Sequence, residues 1–233
     1  MKIDIKGPII SSDDQWIYDY FEIESTSPKK INEILKGIKD GEELEIMINS
    51  GGGSVFAGSE IYTALKSHKG NATAKIVGIA ASAASVIAMA ANKVVISPTA
   101  QIMIHNVSTI VAGDYRDLQH EANVIENMNK SISNAYALKT KLGQEELLEL
   151  MNNETWLNAQ QAKEKGFADE IMFDEGNQLV ASFGNSQMLP AEVINKVKNE
   201  LIEKKNNEKV IQENETNNEL DLAKAKLNLR RSL

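Results

Sequence analysis

Five short β-like runs, at residues 43–49, 74–78, 94–97, 102–105 and 170–173, alternate with helical patterns. No other feature constrains the fold as much, because this alternation is the signature of an α/β domain. Helices are predicted over 28–39, 55–67, 82–91, 114–142, 144–151 and 159–165. Ser27 caps the first of these, and Pro28 stands at its first helical position, where a missing N–H costs nothing. Turn residues such as Gly70-Asn71, Asn92-Lys93 and Ser97-Pro98 separate the elements. The helix over 114–142 far exceeds the common globular length of about 10–14 residues. Its length predicts that it protrudes and packs against a neighbouring subunit.

A chain of 233 residues with 42% hydrophobic positions can bury one sizeable core and carry an extension. No run approaches the roughly 18 apolar residues needed to span a bilayer, and the start Met1-Lys2-Ile3-Asp4 lacks a signal-peptide core, so a cytoplasmic protein with no membrane partner is expected. With no cysteine, disulfides and thiol catalysis are excluded. A net charge of −8 argues against nucleic acid as a partner, since that affinity is built on clustered Lys and Arg. Composition changes after Gly184: from Met188 onward there are no aromatics and the charges nearly balance. The domain boundaries expected are therefore 1–178, a linker over 179–187 and a polar extension over 188–233. Within the extension, Val193, Ile194, Val197, Leu201 and Ile202 recur at helical spacing after Pro190, residues 204–218 have little to bury, and 219–229 is again helical in pattern. Such a tail is either a solvated appendage or an assembly handle.

The chemistry centres on Ser82, in Gly78-Ile79-Ala80-Ala81-Ser82-Ala83-Ala84-Ser85, where a strand pattern gives way to a helix. There the N–H of Ala83 has no intrahelical acceptor, and the positive end of the helix dipole favours a developing oxyanion. Of the three histidines, His68 lies in a turn beside Lys69 and His120 in the middle of a long polar helix, whereas His105 closes the apolar strand Ile102-Met103-Ile104. Strand alternation can aim that ring into a cleft beside Ser82. A third element is Asn49-Ser50-Gly51-Gly52-Gly53-Ser54, whose glycines permit close backbone approach. It is no phosphate loop: no Lys-Ser/Thr follows, and Phe56 stands where the dinucleotide spacing requires a glycine. A serine, a histidine and a second source of N–H donors fit acyl transfer. The absence of H-E-x-x-H leaves a zinc hydrolase without support, so no metal or other cofactor is expected.

Three blocks taken in order, INSGGGSVFAGSEIYTAL, GIAASAASVIAMAANKVVISPTAQIMIHN and NNETWLNAQQAKEKGFADEI, resemble the ClpP family of serine peptidases over roughly residues 1–178. Within that family the chain is similar to the ClpP-like head maturation proteases of tailed bacteriophages and prophages. The resemblance implies that Ser82 is the nucleophile, His105 the general base, and the N–H groups of Gly53 and Ala83 the oxyanion donors. Gly53 matches the last glycine of the family's N-S-P-G-G string, although glycine replaces the proline at Gly51. The family's acid is normally an aspartate just before an aromatic-Leu-x-Ala string, and the matching residue here is Glu154. Asn152, Asn153 and Asp169 are the alternatives to it. The order Ser, His, acid also differs from the Ser, acid, His of α/β-hydrolases.

The family's fold is a spiral of β-β-α units shared with crotonases. Its members stack into rings through a strand and long helix, the handle, which map onto 107–113 and 114–142. The resemblance thus implies a homo-oligomeric serine endopeptidase acting on extended polypeptide, with scaffold and capsid precursors as substrates in the phage branch. Strand addition at the edges 51–53 and 110–111 would hold such a substrate. Two rival readings are a housekeeping subunit fed by an ATP-dependent unfoldase, and a non-catalytic ring or scaffolding component. An acyl-CoA enzyme on the same fold would leave the Ser-His pair without purpose.

Overall fold

Isoleucines at every second position of Lys-Ile-Asp-Ile-Lys bury completely while their charged neighbours face solvent, and this period-two pattern forms the first strand, β1 (Lys2–Lys6). The computed structural model describes residues 1–39 and 41–174, which belong to a unit spanning Met1–Asn177. The linker at 179–187 and the extension at 188–233, with its predicted helices, lie outside the described residues. After β1 come α1 (Gln15–Tyr20), α2 (Pro28–Lys36), β2 (Leu44–Ser50), α3 (Val55–Lys66), β3 (Ala72–Ala81), α4 (Ala83–Ala88), β4 (Lys93–Ile96) and β5 (Gln101–Ile104). The long helix α5 (Tyr115–Thr140) follows, then α6 (Gln144–Asn152), β6 (Thr155–Asn158), α7 (Ala159–Glu164) and β7 (Glu170–Ile171). The α/β class and the long helix are as expected.

The strands run in the order β1-β2-β3-β4-β7, each neighbour parallel. The ten-residue β3 is the spine, because its first half pairs with β4 (Thr73–Ile76 against Lys93–Ile96) and its end pairs with β5 (Ile79–Ala81 against Gln101–Met103). β6 then lies antiparallel on β5. Between these halves the register of β2 on β3 jumps from Ile48↔Ile76 to Ser50↔Ala80, so β3 gains two residues on its neighbour. Asn49 stitches the irregularity, its Oδ1 accepting from the N–H of Ile79 at 3.2 Å. The core is aliphatic: Ile46, Ile48, Ile76, Ile96, Ile102 and Ile104 are fully buried, each contributing about 1.5–3 kcal/mol relative to exposure. Helix α4 is buried along its whole length.

Helix α2 begins where the sequence marks it, with the Ser27 hydroxyl accepting from the N–H of Lys30 at 3.3 Å. Three elements, β1, α1 and β6, are absent from the sequence expectation, and most predicted ends shift by one to three residues as they fray or turn. Residues 107–113, expected to supply the strand of the handle, form no strand. Helix α5 projects as expected: it buries nothing before Asn129, and its start is held by a local capping box of Asp114 and Asp117. The Arg116 guanidinium beside Asp114 holds that carboxyl below the usual carboxylate range. No helix among the described residues is long and apolar enough to cross a membrane.

Asp169 ties α5 to the sheet. Its Oδ2 accepts from the N–H of Val94 and from Lys139 Nζ, both at 2.6 Å, and Nζ also donates to the carbonyl of Asn92. Asp169→Ala removes the acceptor of both donors while the Lys139 side chain remains only 10% exposed. Stability is expected to fall by about 1–3 kcal/mol, read as a lower urea midpoint with an unchanged denaturant slope.

Candidate active site

Small residues at the end of β3 make the site possible. Ala80 and Ala81 are buried, and Ser82 then takes φ 53° and ψ −125° as the N-cap of α4. An L-residue in that region carries about 1–3 kcal/mol of strain, which the surroundings must offset. The N–H of Ser82 donates to the carbonyl of Met103 at 2.9 Å, extending the β3–β5 pairing by one step. Alternation along β5 sends Ile102 and Ile104 into the core and leaves Met103 and His105 on the opposite face. His105 Nε2 thereby lies 2.7 Å from Ser82 Oγ, although 23 positions separate the two residues. The other histidines take no part: His68 bonds the Glu42 carbonyl, and His120 is exposed on α5.

The glycine loop runs against this turn. A methyl built on Gly52, which has φ 94°, would stand 2.7 Å from the carbonyl oxygen of Ala81 and from Ser82 Cβ. Only glycine permits that approach. Ser50 Oγ donates to the Gly7 carbonyl and accepts from the N–H of Gly52, while Ile9 brackets the loop by donating to the Gly52 carbonyl and accepting from the N–H of Ser54. Gly53, at φ 150°, is left no room for a side chain by the Ile9 backbone. Neither the N–H of Gly53 nor that of Ala83 donates a hydrogen bond to any described residue. Two free donors thus lie on the two segments that meet at Ser82.

The Clp protease family model matches residues 15–175. The chain belongs to the Clp protease family. It is 31% identical over 137 residues to the ATP-dependent Clp protease proteolytic subunit 1 of Chlamydia abortus, covering 57% of this chain and 71% of that protein. It is 31% identical over 140 residues to the ATP-dependent Clp protease proteolytic subunit of Bacteroides fragilis, covering 59% and 68%. The counterpart in Deinococcus radiodurans is 31% identical over 133 residues, covering 56% and 65%.

The side chain expected as the acid, Glu154, makes no hydrogen bond to the imidazole. The antiparallel register Ile104↔Thr155 brings Glu154 to the position facing His105 across β5 and β6. Its carboxylate nevertheless accepts from Trp156 Nε1 at 3.2 Å. The backbone contributes to this outcome, since Glu154 sits at φ 45° in a turn closed by its N–H on the Met151 carbonyl. Among the alternatives, Asn152 Oδ1 accepts from Asn106 Nδ2 at 2.8 Å, one residue from His105. Asn153 is exposed, and Asp169 is occupied by Val94 and Lys139.

Beside the Ser82–His105 pair opens a narrow pocket, lined chiefly by Val55, Val86, Val107, Ile132 and Tyr136. No charged side chain lines it, so an apolar group is its natural occupant. These wall residues escaped sequence reasoning. The only signal for them is helical spacing, with Ile132 and Tyr136 four apart on α5. Gly52→Ala is expected to destabilise the protein by more than about 1 kcal/mol, whereas Gly51→Ala, whose methyl would meet nothing within 4 Å, should be neutral or slightly stabilising. Thermal unfolding of the two variants side by side checks the contrast.

Proposed function

We propose that the chain is a serine endopeptidase in which Ser82 is the nucleophile and His105 its base, and that the observation carrying this reading is their 2.7 Å contact at the mouth of an apolar pocket. Ser82 Oγ attacks the peptide carbonyl while its proton passes to His105 Nε2, and the oxyanion is received by the N–H groups of Gly53 and Ala83. His105 returns the proton to the leaving amine as the C–N bond breaks. Water, deprotonated by the same imidazole, then displaces Ser82 from the acyl carbon. The side chain preceding the scissile bond is apolar, matching the pocket. Ser82→Ala should lower kcat by about 10⁶-fold and abolish labelling by a serine-directed fluorophosphonate, mapped by mass to residue 82. Failure of the parent chain to take that label would leave the non-catalytic scaffold reading in its place.

Glu154 completes the triad in this proposal by turning from Trp156 to accept from His105 Nδ1–H, which donates to no described residue. Its extra methylene relative to aspartate lengthens the reach. Glu154→Ala is then expected to cost about 10²- to 10⁴-fold in kcat, while Trp156→Phe, which releases the carboxylate, leaves activity intact or raises it. An unchanged rate in Glu154→Ala would instead define a Ser-His dyad.

We assign the natural substrate to the scaffold and capsid precursors of a tailed phage or prophage. The divergent N-terminus, the glutamate at 154 and the added extension after 188 support that branch. The handle would join copies into stacked rings, with Ile110, Val111, Tyr115 and Leu118 exposed for that contact. A second reading is favoured by the relatives, which are named ATP-dependent proteolytic subunits. In it, an unfoldase feeds the ring. Incubation with a capsid precursor, and separately with an unfoldase, ATP and a folded substrate, distinguishes the two: cleavage confined to the first mixture supports head maturation.

A further inference from the structure

Behind the nucleophile lies a buried polar chain that the mechanism above does not use. Ser85 is fully buried, and its Oγ lies 2.6 Å from the carbonyl oxygen of Ser82 and 2.8 Å from Tyr136 Oη. Tyr136 is buried as well, its ring set at 5.6 Å from that of Phe167. Burial pushes the Tyr136 phenol well above its usual range, so the O–H keeps its proton.

The direction of the chain follows from counting protons. The Ser82 carbonyl can only accept, and Ser85 has one hydroxyl proton, so Ser85 donates to Ser82 and Tyr136 must donate to Ser85. Each bond polarises the next. The same carbonyl accepts from the N–H of Ser85 at 2.9 Å and of Val86 at 3.3 Å. Three donors therefore converge on one oxygen at the start of a helix only six residues long. Elsewhere among its neighbours α4 is lined by alanine and apolar residues, and no second hydroxyl on it reaches another element.

That oxygen belongs to the Ser82–Ala83 peptide, and a trans peptide is planar with its C=O and N–H pointing in opposite directions. Holding the carbonyl inward, toward Ser85, turns the N–H of Ala83 outward on the side of the pocket. It also fixes the ψ of Ser82 at −125°, a value the residue would not hold unaided at positive φ. We propose that Ser85 and Tyr136 are positioning residues that lock the Ser82–Ala83 peptide, and with it both the nucleophile rotamer base and the Ala83 N–H, through the relay Tyr136 Oη–H to Ser85 Oγ–H to the Ser82 carbonyl. The proposal rests on Ser82 being the nucleophile. Tyr136 stands on α5, so the relay also anchors the turn to the long helix.

Ser85→Ala, Tyr136→Phe and the double variant test it, in the full chain. The readouts are the second-order rate of fluorophosphonate labelling at Ser82 and the kcat and KM for a fluorogenic peptide with an apolar residue before the scissile bond. Both single variants are expected to slow labelling and lower kcat by about 10- to 100-fold, less than the about 10²- to 10³-fold loss of an oxyanion donor itself. KM should stay within about twofold, since neither hydroxyl is asked to touch substrate. Because Tyr136 acts only through Ser85, the double variant should be no slower than Ser85→Ala. A merely structural role would lower the melting temperature while the folded variants labelled at the parent rate, and that result, or additive losses in the double variant, overturns the relay. Tyr136→Phe keeps the ring and its packing, so the test survives if Ser85→Ala fails to fold. A parent chain that takes no label at Ser82 overturns the relay together with the peptidase reading, whereas a labelled parent beside unaffected variants overturns the relay alone.

Discussion

Everything at the site depends on the parallel pairing of the end of β3 with β5. The hydrogen bond from the Ser82 N–H to the Met103 carbonyl is the last step of that ladder, and it fixes where the chain leaves the sheet. Ser82 stands one residue past the ladder on β3 and His105 two residues past it on β5, and the 2.7 Å separation of Ser82 Oγ and His105 Nε2 follows. Since β3 pairs with β4 along its first half and β5 along its end, the two partners brace opposite ends of one strand. A slip of β5 by one residue would turn Ile102 and Ile104 out of the core and His105 into it. The cost of exposing two buried isoleucines therefore protects the geometry of the pair.

Close approach is the second constraint. The glycine loop, the Ala80-Ala81 end of β3 and the start of α4 converge so closely that even a methyl would clash at Gly52, and Gly58 on α3 extends the rule, since a methyl there would stand 2.9 Å from Ala83 Cβ. In the mechanism proposed above, two neighbouring segments supply backbone N–H groups, rather than side chains, to the oxyanion. Backbone donors held by packing need no reorganisation when charge develops, which is the advantage of such sites over flexible polar side chains. The strain at Ser82 and the positive φ at Gly52 and Gly53 are the conformational cost of that convergence.

The sequence made Ser82 and His105 legible because each sits where a periodicity changes: Ser82 where a β pattern becomes helical, His105 where an apolar strand stops. The glycine run was legible for the same reason, as a break between a strand and a helix. β1 and β6 were not, since each is five residues or fewer and owes its status to pairing with strands distant in sequence, Ile3 on Ile46 and Leu157 on Ile102. Helix α1 is only six residues, with Trp16 and Tyr20 exposed, and so presents no apolar face to detect. The carboxylate of Glu154 illustrates a different limit. Its register opposite His105 follows from β6, but the choice between the Trp156 indole and the imidazole is a competition among side chains that spacing does not encode. Ser85 is hidden likewise in a run of small residues, and only the fold reveals that Tyr136, far along the chain, reaches it.

Helix α5 is two structures in one. Its second half is tied down at three points: Asn129 Oδ1 accepts from the N–H of Val107, Tyr136 reaches Ser85, and Lys139 pairs with Asp169. The first of these lies two residues beyond His105 and the second reaches the Ser82 turn. Its first half has no fully buried residue and carries the Asp114–Asp117 capping box and the Glu126–Lys130 pair, each worth tenths of a kcal/mol to about one. The first two of the three anchors hold the segment after His105 and the turn of Ser82. Tyr136 thus joins one half of α5 to the turn that carries Ser82, while Tyr115 and Leu118 on the other half stay exposed.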